Sequence, residues 1–283
     1  MKFPIGIMAD GLRLPLREGL QKAMELGAQG VQLYATKGEM APENLDCFAR
    51  RELREHIHGL GLCVSALCAD YGGYGFAKEE DNGWKIEKSK DVMKLALALD
   101  CHVVTTHIGV VPEDRSDPRY DIMARACREL GLFGQELGCK FAIETGPEKA
   151  KTLRAFLDDL GCRGMCVNLD PANLTMVAGD DPVQAVYTLA PYIVHTHAKD
   201  GRMTKYRDPE KVYGFFAEGG IEDFRLEDYF IETPLGEGDV DWDNYLKALH
   251  EIDYCGFLTI EREVGPDPVG DIAKAVSFLK SKF

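Results

Sequence analysis

Short apolar runs alternate along the chain with longer stretches in which apolar residues recur every three or four positions. The runs fall at Phe3–Met8, Gly30–Tyr34, Cys63–Leu67, Cys101–His107, Lys140–Thr145, Met165–Leu169, Tyr192–Ala198 and Gly256–Glu261. Most lack polar alternation, as strands covered on both faces do, so they predict a parallel sheet. The stretches between them read as amphipathic helices. Leu16, Leu20, Ala23 and Met24 share one face of a helix ending at Gly27, and Asp117-Pro118 opens another that carries Ile122, Ala126, Phe133 and Leu137. Trp242, Tyr245, Leu246 and Leu249 predict the seventh helix, and Ile272, Val276 and Leu279 the eighth. Eight strand–helix pairs without a linker predict one α/β domain over residues 1–283, a (β/α)8 TIM barrel. A doubly wound sheet is the alternative, weakened because neither dinucleotide-type nor P-loop glycine motif occurs. About 40 residues separate the seventh strand from its helix, far beyond the roughly 2–6 of an ordinary βα loop. That segment is expected to act as a lid or as a contact between copies in a homo-oligomer.

Composition narrows the class of partner. With 33 basic residues against 47 acidic ones, the formal charge of -14 argues against nucleic acid and anionic membrane as partners. No apolar run approaches the ~20 residues of a membrane span, and the opening residues read as a strand, so a cytoplasmic protein is expected. Several of the nine cysteines lie in apolar runs and are expected to be reduced core residues, and without a Cys-x-x-Cys pair a thiolate zinc site has little support.

In a barrel, the C-terminal strand ends converge on one face, where chemistry is placed. Glu144 ends the fifth strand, Asp170 the sixth, His197 the seventh and Glu261 the eighth. Steps of 26 and 27 residues from 144 to 170 to 197 are one βα repeat each, which sets these groups on adjacent strands. Three buried carboxylates side by side need a counter-charge, and a divalent cation is the simplest one. Three oxygens and one imidazole suit Mn²⁺, Mg²⁺, Co²⁺ or Zn²⁺. Strand alternation lets only one of His195 and His197 join the set; His197, nearer the strand end, is chosen, and His195 is read as a packed neighbour. His107 ends the fourth strand beside Glu144, where contact with a substrate and capping of the loop both stay open. His56, His58 and His250 fall in predicted helices and are read as solvent-facing. In the long segment, Lys199, Arg202 and Lys205 offer charge to a substrate phosphate or carboxylate, or belong to a solvated loop. Tyr213, Phe215 and Phe216 are expected to close over a ligand or to meet another subunit.

These residues carry a resemblance. Gly30-Val-Gln-Leu33, Ile143-Glu144, Leu169-Asp170, His195-Thr-His197-Ala-Lys-Asp200 and the stretch from Leu235-Gly-Glu-Gly-Asp-Val-Asp-Trp242 to Glu261 resemble the xylose isomerase-like barrels over almost the whole chain. That superfamily includes sugar phosphate isomerases and epimerases, ketose 3-epimerases, inosose dehydratases and endonuclease IV. The resemblance implies that Glu144, Asp170, His197 and Glu261 hold one divalent metal, such as manganese. It also implies that Glu144 and Glu261 exchange protons with a sugar or sugar phosphate next to its carbonyl. A lyase using the same site, dehydrating an inosose or cleaving a C-glycoside, is the alternative, and a non-catalytic sugar-binding scaffold is the third reading. Asn173 stands where ketose 3-epimerases usually carry a substrate-binding His; Ala150 and Met203 stand where they carry Glu and Arg, and Arg202 lies one position off. Gln32 replaces a Glu common among relatives. Endonuclease IV needs histidines for a trinuclear zinc cluster where this chain has Asn173 and Val240-Asp-Trp242.

Overall fold

A computed structural model describes residues 3–220 and 225–283. Eight strands, β1 (Ile5–Met8), β2 (Gly30–Tyr34), β3 (Cys63–Cys68), β4 (Val103–Thr106), β5 (Lys140–Glu144), β6 (Met165–Leu169), β7 (Ile193–Ala198) and β10 (Leu258–Ile260), close into a parallel barrel. Strand β10 pairs with both β7 and β1, which closes the ring. The predicted α/β fold is therefore the observed one. Predicted strands overrun the observed ones by a residue or two at β1, β4 and β10, where apolar residues continue into the loops. Gly6 on β1 makes the closing contact possible, since a Cβ there would lie 2.6 Å from Thr259 Oγ1 on β10.

The helices ringing the barrel include α1 (Leu16–Leu26), α2 (Cys47–Gly59), α3 (Glu79–Ala98), α4 (Pro118–Leu137), α5 (Ala150–Leu160), the single turn α6 (Pro171–Asn173) and α7 (Pro182–Leu189). Asp-Pro dipeptides explain several starts. At 117–118, 181–182 and 267–268 the aspartate accepts a backbone N–H of the first turn, while proline occupies a position whose N–H has no helical partner. Asp170-Pro171 uses the same device, but this aspartate is fully buried.

After β7 the chain leaves the barrel. Strand β8 (Asp200–Met203) pairs antiparallel with β9 (Phe230–Thr233), and α8 (Pro209–Ala217) lies between them in sequence. The excursion returns to α9 (Trp242–Glu251), with α10 (Pro268–Ser281) closing the chain. Its two ends meet at one buried carboxylate. Asp200 accepts from Gly201 N and Val240 N on Oδ1, and from Gly236 N and Trp242 Nε1 on Oδ2. Gly238 passes so close that a Cβ would sit 2.0 Å from Asp200 Oδ1. All nine cysteines are free thiols, and six are buried as expected of core residues, whereas Cys47 and Cys255 are exposed and Cys63 half-buried. No helix among the described residues is long and apolar enough to cross a membrane.

Candidate metal and substrate site

The strand ends bring Glu144, Asp170, His197 and Glu261 together at the bottom of a cavity, all four buried, with one donor atom of each inside a 4.8 Å span. His197 Nδ1 lies 3.5 Å from Glu144 Oε1, 3.4 Å from Asp170 Oδ2 and 3.3 Å from Glu261 Oε2. Ligand bonds of roughly 2.0–2.2 Å place donors about 3–4.4 Å apart around one ion, so these residues fit a divalent cation with little movement. The donor set, three hard oxygens and one imidazole, agrees with that use.

Residues behind the cluster aim it. Gln32 Oε1, 3.1 Å from His197 Nε2, can only accept, so Nε2 carries a proton and Nδ1 is the nitrogen turned toward the carboxylates, free to bind a cation once it gives up its own proton. Gln32 is oriented in turn by donating to Thr105 Oγ1. Asn168, two residues before Asp170 on β6, donates to Glu144 Oε2, and its Oδ1 faces His195 Nδ1 at 2.9 Å. His195 Nε2 meets Thr259 Oγ1, so His195 supports the cluster from behind, in keeping with the sequence reading. Burial holds His195 well below its ordinary value, hence neutral. Asp170 caps α6 through Oδ1 while Oδ2 faces His197, and Thr145 Oγ1 receives its backbone N–H.

Charge inside the cluster is unbalanced. Burial raises Asp170, and the neighbouring Glu144 raises it further against the pull of His197 and Lys199. Burial lowers His197, but Glu261 and Glu144 outweigh it and hold the imidazole well above its usual range. Burial also opposes charge on Glu261, yet Lys199 and His197 keep it well below the carboxylate range.

The cavity above the cluster holds about 200 Å³ and is bordered by Tyr34, Asp70, His107, Asn173, Tyr213 and Glu263 among others. His107 reaches it from the end of β4, with Nδ1 3.0 Å from Asp70 Oδ2 and Nε2 3.5 Å from Glu144 Oε1. Burial works against its charge, but Glu144 and Asp70 prevail and push it up to about 10. Asn173 Nδ2 donates to Glu144 Oε1 at 3.1 Å, and Gly146 lets it approach, a Cβ there falling 2.6 Å from that of Asn173. Lys199 also borders the cavity, but it is committed: Glu261 Oε2 lies at 2.9 Å, Glu263 Oε2 at 2.5 Å and Glu232 Oε2 at 3.9 Å. Burial lowers Lys199, and these carboxylates overcome it and raise it well above its ordinary value. Arg262 carries the network on to Glu232 and Asp271.

The expectation of Arg202 at the substrate is corrected. By Arg202 the β8–β9 ribbon has left the barrel mouth; the exposed guanidinium faces Asp239 at 3.4 Å and donates to the Glu237 carbonyl. Lys205 is exposed as well. His58 and His250 are exposed as read, whereas His56 is half-buried in α2. The excursion does cover the cavity, through Val212, Tyr213 and Phe216 of α8. Tyr74 Oη donates to Glu218 just beyond α8, and Arg119 pairs with Glu210 on its first turn, which ties the cover to the opposite rim.

Sequence reasoning missed Asp70, Glu263, Glu232 and Glu148. Asp70 lies two residues beyond β3 at a strand end, the same signal that marks Glu144, and a Gly-rich loop follows it. Glu148 accepts from Val111 N on Oε2, while Oε1 has no hydrogen-bond partner, and burial pushes it up to about 8.

The molecule is similar throughout to a solved xylose isomerase domain protein from Planctomyces limnophilus, 27% identical, with a TM-score of 0.79 over 99% of this chain and 96% of that one. A probable 3-DHS dehydratase, AsbF, from Bacillus anthracis superposes at a TM-score of 0.75 with 18% identity, covering 99% of each chain. A D-psicose 3-epimerase from Clostridium cellulolyticum H10 superposes at 0.73 with 15% identity, covering 99% of each. In sequence, an inosose dehydratase of Clostridium perfringens is 22% identical over 178 residues, 59% of this chain and 56% of that protein. An uncharacterized protein of Methanocaldococcus jannaschii is 23% identical over 207 residues, 69% of this chain and 61% of that protein, so both matches span less than two thirds of the relative's length. The profile of the xylose isomerase-like TIM barrel family matches residues 20–282, and the chain belongs to that family.

Proposed function

We propose that this protein is a divalent-metal-dependent isomerase or epimerase of a sugar or sugar derivative, moving a proton on the carbon next to a carbonyl. The observation that carries the reading is Nδ1 of His197 facing three buried carboxylates across 3.3–3.5 Å. A cation held there would draw charge onto the carbonyl and neighbouring hydroxyl oxygens of a substrate, which eases loss of the proton on the carbon. Glu144 ends β5 and Glu261 follows β10, two strands separated by β6 and β7, and both residues border the cavity. They are assigned the acid and base roles, one taking the proton and the other returning it. His107 and Asn173 are assigned to substrate oxygens, and α8 to excluding water.

Incorporation of solvent deuterium into a ketose or aldose under turnover is the expected result, and absence of exchange across a sugar panel overturns the reading. One observation favours a second reading. His107, held charged between Asp70 and Glu144, is placed to protonate a departing hydroxyl, which would make the same deprotonation the first half of a dehydration. That outcome appears as loss of water in the product mass.

A further inference from the structure

The cavity rim shows which substrates the site is built to refuse. Among the described residues, Asp70, Glu144, Glu261 and Glu263 border the cavity as acids, and His107 and Lys199 are its only cationic side chains. Neither cation is free. His107 lies between Asp70 and Glu144, and Lys199, 3% exposed, is surrounded by Glu232, Glu261 and Glu263. Barrels that bind phosphate often do so in the loops after the seventh and eighth barrel strands, beside a helix N-terminus. In this chain those loops present Glu261 and Glu263. The helix starts nearby already hold carboxylates: Ala150 N donates to Asp180, Asn173 N to Asp170 and Gly270 N to Asp267. Arg202, paired with Asp239, and Lys205 are both exposed and neither lines the cavity. A phosphate or carboxylate would enter a cavity whose cationic side chains, among the described residues, are already paired with carboxylates, and would pass Glu263 at its edge.

We infer that the site selects uncharged polyhydroxylated carbonyl compounds and rejects their phosphate or carboxylate counterparts, and that Glu263 is the residue enforcing this. The inference rests on the reading of the substrate as a sugar carbonyl compound, and narrows it. Glu263 suits the role because its carboxylate is 57% exposed at the cavity while spending its charge on Lys199. Removing its charge would take away the acid at the cavity edge and leave Lys199 with Glu261 and Glu232 alone, so less of the lysine's charge is offset toward an incoming anion.

The test compares D-fructose with D-fructose 6-phosphate and D-xylulose with D-xylulose 5-phosphate, at fixed ionic strength, on the manganese-loaded protein. Calorimetric affinity is read beside deuterium exchange. At least one free ketose is expected to bind, roughly tenfold or more tighter than its ester, and Glu263→Gln is expected to narrow that ratio about tenfold. Equal or tighter binding of the esters, or no binding of either free ketose, overturns the inference, and this comparison on the wild-type protein does not depend on the variant. An unchanged ratio in a folded Glu263→Gln protein overturns the role of Glu263. Binding of free ketoses without deuterium exchange supports selection while sinking the isomerase reading. Exchange confined to the esters does the reverse.

Discussion

Two groups of acids, most of them buried, lie side by side at the barrel mouth and solve the same problem differently. In one, Glu232, Glu261, Glu263 and Asp271 surround Lys199 and Arg262, so the chain supplies its own cations. In the other, Glu144, Asp170 and Glu261 face a single imidazole, and the count of positive charge falls short. Glu261 belongs to both groups. Glu148 shows a third solution: burial outweighs the Val111 N–H and the charge of His107, and it keeps its proton to about pH 8. A buried carboxylate must find a lysine, a metal or a proton. Where the chain provides neither lysine nor room for neutrality, a site for a metal is the remaining choice.

The comparison breaks most visibly at Asp170. Asp170→Asn is expected to abolish retention of one metal per chain, measured by elemental analysis, and to lower turnover on the order of 10³ through loss of several kcal/mol of charge stabilisation. The same change is expected to raise the stability of metal-free protein, because it removes one of the opposed carboxylates. In the self-sufficient group the sign reverses. Lys199→Met leaves the buried Glu261 without its lysine and Glu232 with Arg262 alone, and is expected to cost about 3–5 kcal/mol in urea unfolding. A stabilised Lys199→Met protein would mean that the lysine serves chemistry, not charge balance.

Glu148 sharpens the third case through pH. Its folded value of about 8 lies above the ordinary 4.5, so between those values the folded chain holds a proton that the unfolded chain has lost. Its contribution to stability therefore declines as pH rises from 4.5 to about 8 and is level above that, by up to a few kcal/mol. Glu148→Gln is expected to remove this decline, visible as a flatter pH dependence of the unfolding midpoint. At Gln32 the effect is smaller. Gln32→Leu frees the His197 tautomer and is expected to weaken metal affinity about 10–100-fold while leaving the fold intact by circular dichroism. Smallest of all, Arg202→Ala is expected to change stability by less than about 0.5 kcal/mol and substrate KM by less than about twofold, as for an exposed pair.

The barrel was legible because a strand covered on both faces must be apolar throughout, and runs such as Lys140–Glu144 and Met165–Leu169 leave little else to read. The four clustered residues were legible because the repeat length carries Glu144, Asp170 and His197 to neighbouring strand ends. What supports them was not. Asn168 and Gln32 are amides inside strands, and nothing in a sequence says which oxygen faces which nitrogen. Arg202 was misplaced for a related reason: adjacency to Lys199 in the chain says nothing once the β8–β9 ribbon turns away from the mouth. Glu232 and Glu263 come from segments 31 residues apart, and only the folded excursion brings them to the same lysine.

Asp200 fastens the departing and returning ends of the excursion at a single point, so the barrel sees a loop already closed whatever its interior contains. Lengthening such a loop adds little closure entropy, since each doubling costs only about 0.6 kcal/mol. Residues 204–229 can thus be replaced or extended as a cassette, altering what the mouth admits while the barrel beneath it stays as it was.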